Sequence, residues 1–236
     1  MKGIVLEVKG PWAQFKRPET SNNPLTHDFI TKTALIGMIG AVLGIDRPSM
    51  KERFPQLSED LLYGVHVAGD VKKESWAFTM RSLSHLFEKA PKQMEFLRDP
   101  VFHVAIGLAK DRSGDLFDRF VKAVEYQEAQ YDPVLGLHNC PATLTLLGKG
   151  EFEKREGCFS TQSFVPVSMK PQLADFSEAG LSLRLGFDRV PTFQNNDFWN
   201  LPHKYVDVVY CSGGAKIKVD NGVHHQFSDG NAWVLI

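Results

Sequence analysis

The chain has 236 residues, 43% of them hydrophobic, with 27 basic against 28 acidic residues and a formal net charge of -1. That is enough apolar material for one large domain, or one domain with an appendage, without staples, and it excludes a uniformly basic surface; any cationic site is a local patch. Three cysteines, Cys140, Cys158 and Cys211, lie far apart with no CxxC spacing, which argues against a disulfide framework or structural zinc and fits a reducing, cytosolic setting.

The chain opens on alternation: Ile4, Leu6 and Val8 against Val5, Glu7 and Lys9, a half-buried strand ended by Gly10-Pro11. No signal-peptide core is present there. A polar loop follows over 18–27. The run from about Thr31 to Ile45 reads as a helix capped by Thr31 or Thr33. It carries an apolar stripe (Leu35, Met38, Ile39, Val42) and a second face of small residues (Ala34, Gly37, Ala41, Gly44). Its uncharged part, 33–45, is shorter than the about 20 residues a bilayer span takes, so no membrane role is expected. Residues 61–68 read as a second strand. The stretch 69–98 reads as an inserted polar ribbon in which Trp76, Phe78 and Met80 alternate with Ser75, Thr79 and Arg81. Residues 101–109 form a third strand. A helix is expected over 115–130, with Leu116, Phe120, Ala123, Val124 and Gln127 in register. Residues 142–152 form a fourth strand.

Strand, helix, strand, insertion, strand, helix, strand is the order of a ferredoxin-like α+β domain, the topology shared by RNA-recognition modules. The expected division is therefore a ferredoxin-like domain over 1–152, carrying the insertion at about 69–98, and a β-rich region over 153–236. Within that region 204–219 reads as a hairpin turning at Ser212-Gly213-Gly214.

Four places could carry chemistry. Trp12, Phe15, Lys16 and Arg17 put aromatics beside cations, which suits single-stranded RNA; equally, the rings belong in a core. The small helix face admits a close backbone, either the sheet beneath or an RNA above. Lys32 and Thr33 at its start, with Gly37 beyond, could receive a phosphate. Lys72, Lys73, Trp76 and Arg81 on the insertion could lie against RNA, or be solvated. His138, Asn139 and Cys140 have thiol-hydrolase residue types, but such sets assemble in space rather than in adjacent positions, and Pro141 follows. His138 and Asn139 read better as backbone-binding residues. No catalytic set, cofactor motif or metal-ligand spacing emerges.

The segment "GPWAQFKRPET…THDFITKTALIGMIGAVLGI" resembles the N-terminal signature of the CRISPR-associated Cas-five family, a RAMP-type subunit of type I surveillance complexes (Cascade). The match runs through Gly10, Trp12, Ala13, Phe15 and Arg17, then Ala34, Leu35, Ile36, Gly37, Gly40 and Gly44. Lys16 departs from the pattern by standing between Phe15 and Arg17. "QMEFLRDPVF" (93–102) and "DPVLGLHNCPA" (132–142) add support, and the closest branch is type I-B. The resemblance implies a subunit that caps the 5′ handle of the CRISPR RNA, its insertion acting as a thumb. It also implies contacts with a Cas-seven backbone subunit and a large Cas-eight-type subunit, with target DNA touched only indirectly. The alternative is the type I-C activity, a metal-independent endoribonuclease using a Tyr, Lys, His set. Here Leu137 stands before His138, where an adjacent lysine would complete that pair.

Overall fold

The computed structural model describes residues 1–20, 23–81, 89–173, 185–193 and 202–236. The side chains of residues 80, 81, 89, 90, 173 and 193 are also outside the description. In chain order, β1 (Lys2–Lys9), β2 (Trp12–Ala13), α1 (Lys32–Val42), α2 (Arg47–Asp60) and β3 (Leu61–Val67) precede a ribbon of β4 (Lys72–Arg81) and β5 (Lys89–Arg98). Then come β6 (Val101–Leu108), α3 (Gly114–Tyr126), β7 (Thr143–Thr161), β8 (Val165–Pro166), β9 (Gln172–Leu173), β10 (Leu185–Phe193), β11 (Lys204–Cys211), β12 (Ile217–Phe227) and β13 (Ala232–Trp233).

The alternation in β1 does what its pattern predicts. Ile4, Leu6 and Val8 are buried under the helices, while Val5 is buried on the other face. The strand is central, antiparallel to β6 on one side and β7 on the other, and β3 lies beyond β6. The main sheet runs β13-β12-β7-β1-β6-β3, with β9 paired to β12. The ribbon pairs in continuous register from Lys72↔Arg98 to Arg81↔Lys89 and is held at its base by β2, through Trp12↔Arg98 and Ala13↔Leu97.

Thr31 caps α1, its hydroxyl accepting from Ala34 N at 3.3 Å. The helix stops at Val42 because Gly44 takes the left-handed conformation (φ 69°). A second helix follows at once: Asp46 caps α2 by accepting from Ser49 N at 2.8 Å, and Pro48 sits in its first turn. Met50, Phe54 and Leu57 give α2 its buried face. In α3 the buried residues are Phe117, Phe120, Val121 and Val124. Phe120 and Val124 hold the expected register, Phe117 and Val121 join them, Leu116 and Ala123 sit at the flanks, and the helix ends four residues early because Gln127 adopts φ 58°.

Two expectations about the second half need correction. The fourth strand continues to Thr161, pairing with β1 up to Glu151 and with β12 from Phe152 on, so residues 152 and 153 are neighbours inside one strand. The chain turns at Gly213-Gly214, but β11 and β12 do not form a hairpin. β11 pairs with β10 and β8, and β12 with β7. Val209 and Cys211 meet Ile217 and Val219 in one apolar cluster, so the two strands pack face to face rather than edge to edge. The tip of the insertion (82–88) lies outside the described residues. No helix among the described residues is long and apolar enough to cross a membrane.

Candidate nucleic-acid interface

The segment from Gly10 to Ile45 divides into a buried part and an open part. Phe15 is fully packed, 6.1 Å from Phe102 between ring centroids. Trp12 lies edge-on to Trp76 at 4.5 Å, and Trp76 packs on Phe96 at 4.9 Å. These rings join β2 to the ribbon base, with Trp76 still 38% exposed.

Arg17 turns inward. Its Nη2 lies 2.8 Å from Asp188 Oδ1 and its Nε donates to Thr26 O at 3.2 Å. Asp188 is buried; His27 Nδ1 stands 3.1 Å from its Oδ1, and Asp28 N donates to its Oδ2 at 3.0 Å. Asp28 in turn accepts from Tyr210 OH and pairs with Lys73 Nζ at 2.6 Å, which also reaches Glu95 at 3.1 Å. Burial pushes the Asp188 carboxyl up, but the hydrogen bond and charge of His27, the Asp28 amide and the Arg17 charge outweigh it and hold the pKa below the usual carboxylate range. Arg17 and Lys73 thus tie the loop before α1 and the ribbon to β10 and β11. Lys32 is also committed inward: it is 4% exposed, its Nζ donates to Ile236 O at 3.3 Å, and burial, then Lys204, lowers its pKa to about 8.

The open part is the small face of α1. The two glycines of α1 and the one just past its end have three different surroundings. A Cβ on Gly40 would meet Met50 Sδ at 2.9 Å, so this glycine lets α2 cross closely. Gly44 supplies the left-handed turn. Gly37 is exposed, and a Cβ there would meet nothing within 4 Å. With Ala34 and Ala41 it floors a groove of about 680 Å³. One wall is Gln14, Phe15 and Lys16; another is Gly136 and Leu137; Met94, Phe54 and Arg47 complete it. Gly136 (φ 92°) is required where it stands, because any Cβ would fall 1.9 Å from Gln14 O. The 132–142 loop is fixed there by Gln14 N donating to Leu135 O at 3.0 Å and Leu135 N to Cys140 O at 2.7 Å.

Of the residues expected to meet a nucleic acid, Phe15, Lys16, Thr33 and Gly37 come together along this groove. Lys16 is exposed; the Thr33 hydroxyl shares a 2.9 Å hydrogen bond with that of Thr31. Lys72 is solvated and 3.7 Å from Asp70. His138 and Asn139 are exposed at the tip of the 132–142 loop and do not line the groove. Arg81 sits in register with Lys89, and its side chain is outside the described part. Arg47, exposed at the start of α2 and lining the groove, escaped the sequence reading. Its signal was the Asp46-Arg47-Pro48 helix start. Asp188 left no local signal, since its partners His27 and Asp28 are 161 and 160 residues away.

Residues 3–163, more than half of the chain, match the family described as CRISPR-associated protein (Cas_Cas5). The chain belongs to this Cas5 family. No curated protein matches it as a sequence relative. Among solved structures, it is similar in fold to a CRISPR protein from Archaeoglobus fulgidus (TM-score 0.60, 15% identity, covering 99% of this chain and 98% of the other). It is also similar in fold to a chain of a CRISPR RNA-guided surveillance complex (TM-score 0.56, 13% identity, 92% and 91% covered). Every groove residue named above lies inside the Cas5 match, whereas Asp188 and Tyr210 lie beyond it.

Proposed function

We propose that this Cas5 chain holds CRISPR RNA as a non-catalytic subunit of a type I Cascade complex in the cytoplasm, with the repeat-derived 5′ handle lying in the α1 groove. The observation that carries the reading is the open Gly37 floor between the cations Lys16 and Arg47. A groove whose floor is one glycine and two alanines admits a sugar-phosphate backbone, and flanking cations neutralise phosphates. The β7-β1-β6-β3 order with α1 and α3 supports a ferredoxin-like core. The β4–β5 ribbon is the thumb in this reading, with Trp76 and Phe78, each 38% exposed, offering an apolar face to a Cas-seven backbone subunit. The large Cas-eight-type subunit docks alongside, and the type I-B branch is the one this reading favours.

Absence of turnover is part of the proposal. Tyr210, Lys73 and His27 share one network, but Tyr210 and His27 are each 1% exposed and carboxylates engage all three. General acid–base work on an RNA needs groups that reach the scissile phosphate. The test is direct: the purified chain is incubated with labelled precursor repeat RNA without divalent metal. Tight, salt-sensitive binding with intact RNA is expected; specific cleavage at the handle boundary supports the endoribonuclease instead.

A further inference from the structure

The face of the main sheet turned away from α1 encloses a second site. The edge strand β3 does not end in open hydrogen bonds. Ile236 N donates to Tyr63 O at 2.9 Å, Tyr63 N donates to Ile236 O at 3.1 Å, and Phe164 N donates to Val65 O at 2.9 Å. Ile236 lies three residues beyond Trp233 of β13, whose Ala232 and Trp233 pair with Gln226 and His225 of β12. The hydrogen bonding therefore passes from β12 through β7, β1, β6 and β3 and returns through residues 232–236, closing a small barrel. Val5, Ala105, Phe152, Phe227, Trp233 and Leu235 fill its inside. Closure removes the exposed edge and turns the sheet's second face into an interior.

A cavity of about 410 Å³ opens beside that cluster, lined among others by His66, His103, Gln162, Lys216, Asn231 and Trp233. Barrel mouths are frequent ligand sites, and the volume lies within the range of about 300–1,000 Å³ that small-molecule pockets occupy. Two of these side chains are more than nine-tenths buried and lack partners: His66 (8% exposed) at Nε2 and Trp233 (7% exposed) at Nε1. Their polar neighbours are already engaged. Thr161 bonds Ala232 O and Ser163, Gln162 bonds Gly214 O, and Asn231 bonds Asp229. A buried polar atom without a partner is costly to keep, and two beside one cavity call for a bonding partner there.

The surroundings narrow the ligand's chemistry. Burial, then the nearby His103, lowers the His66 pKa to about 4, so its ring is a neutral hydrogen-bonding group and not a cation. The His103 ring lies 5.1 Å away, edge to face. Lys216 is exposed and has no acidic partner among the described residues. The neutral ring nitrogens of His66 and Trp233, with the exposed cation Lys216 at the opening while Lys149 is paired to Glu125 and Asp229 is bonded by Asn231, suit a flat heteroaromatic ring joined to an anion. We propose that the barrel mouth is a nucleotide site, taking a nucleobase edge against His66 and Trp233 and its phosphate against Lys216. The nucleotide is supplied free or as one unstacked residue of an RNA; the second source rests on the RNA-holding role proposed above. The site is independent of the α1 groove, because Val5 lines it from the sheet face opposite to Ile4 and Leu6.

The test is titration of the purified chain with AMP, GMP, CMP and UMP, read by calorimetry and tryptophan fluorescence. Saturable one-to-one binding of at least one nucleotide is expected. Trp233→Phe, which keeps the ring packing but removes the N–H, and Lys216→Glu should each weaken it about tenfold, the loss of one charge-assisted or buried hydrogen bond. Circular dichroism and melting of both variants should be unchanged, and Gly37→Leu in the groove should leave nucleotide binding intact. A second arm scans 2-aminopurine along a repeat RNA. A response at one position, lost in Trp233→Phe, identifies RNA as the source; mononucleotide binding without such a response identifies a free nucleotide. If no mononucleotide saturates and no position responds, the site is refuted even where RNA still binds the groove. If mononucleotides bind but RNA does not, the site stands and the RNA-holding reading fails.

Discussion

Lys16 and Arg17 are adjacent in the chain and meet opposite surroundings. Lys16 projects from the wall of the α1 groove into solvent. Arg17 points into the junction of three sheets, where Asp188 and the Thr26 carbonyl hold its guanidinium. The same contrast separates Arg47, free at the groove, from Lys73, clamped between Asp28 and Glu95. A cation beside an aromatic in sequence is thus no guide to whether it serves a ligand or the fold. What decides is whether a carboxylate from a distant strand arrives to take it. At the junction, buried charges are paired and hydrogen-bonded, so removing one strands the others. At the groove, unpaired charge remains available to a polyanion.

The comparison breaks first, and most heavily, at Asp188. Asp188→Ala should cost about 3–5 kcal/mol in urea denaturation, because it leaves Arg17 without its buried partner, whereas Lys16→Ala should stay within about 0.5 kcal/mol. Equal costs would erase the distinction between junction and groove. Next, Lys16→Glu combined with Arg47→Glu should lower RNA affinity by more than about tenfold at low salt. It should also flatten the slope of log K against log salt by about 1.4, two contacts to a single strand. An unchanged slope would remove both residues from the interface.

Acid should separate the two regions as well. The Asp188 pKa is lower folded than unfolded, so its stabilisation is complete above the ordinary carboxylate value near 3.8 and is lost as pH falls through the lower folded value. Melting curves should therefore weaken below about pH 4, and Asp188→Asn should flatten that limb. The smallest effects concern the glycines. Gly37→Ala should stabilise by about 1 kcal/mol through helix propensity with no clash. Gly44→Ala should cost about 1 kcal/mol, because its φ of 69° is left-handed.

Much of the first half was legible because its signals are local. The β1 alternation, the Thr31 cap, the apolar stripe of α1 and the paired ribbon all follow from spacing within a few residues. The second half hid for physical reasons. The fourth strand, expected to end at 152, runs on through Gly157 to Thr161, because β12 takes over its pairing from Phe152. The Gly213-Gly214 turn looks like a hairpin tip, and only long-range pairing sends β11 and β12 to different sheets. In the candidate site, the small helix face was visible but its direction was not. Periodicity put Gly37 on the small face and Gly40 off it, but not that Gly37 would face open space while Gly40 faces Met50. Trp12 and Phe15, candidates for stacking on bases, lie in the ribbon base and the core.

The most direct test of the central claim is RNA binding by Gly37→Leu. The side chain enters open space, so thermal stability should match or exceed that of the parent chain. It also fills the groove floor, so affinity for repeat-derived RNA should fall at least about tenfold, some 1.4 kcal/mol. A folded Gly37→Leu protein that binds this RNA with unchanged affinity would place the RNA elsewhere and contradict the account.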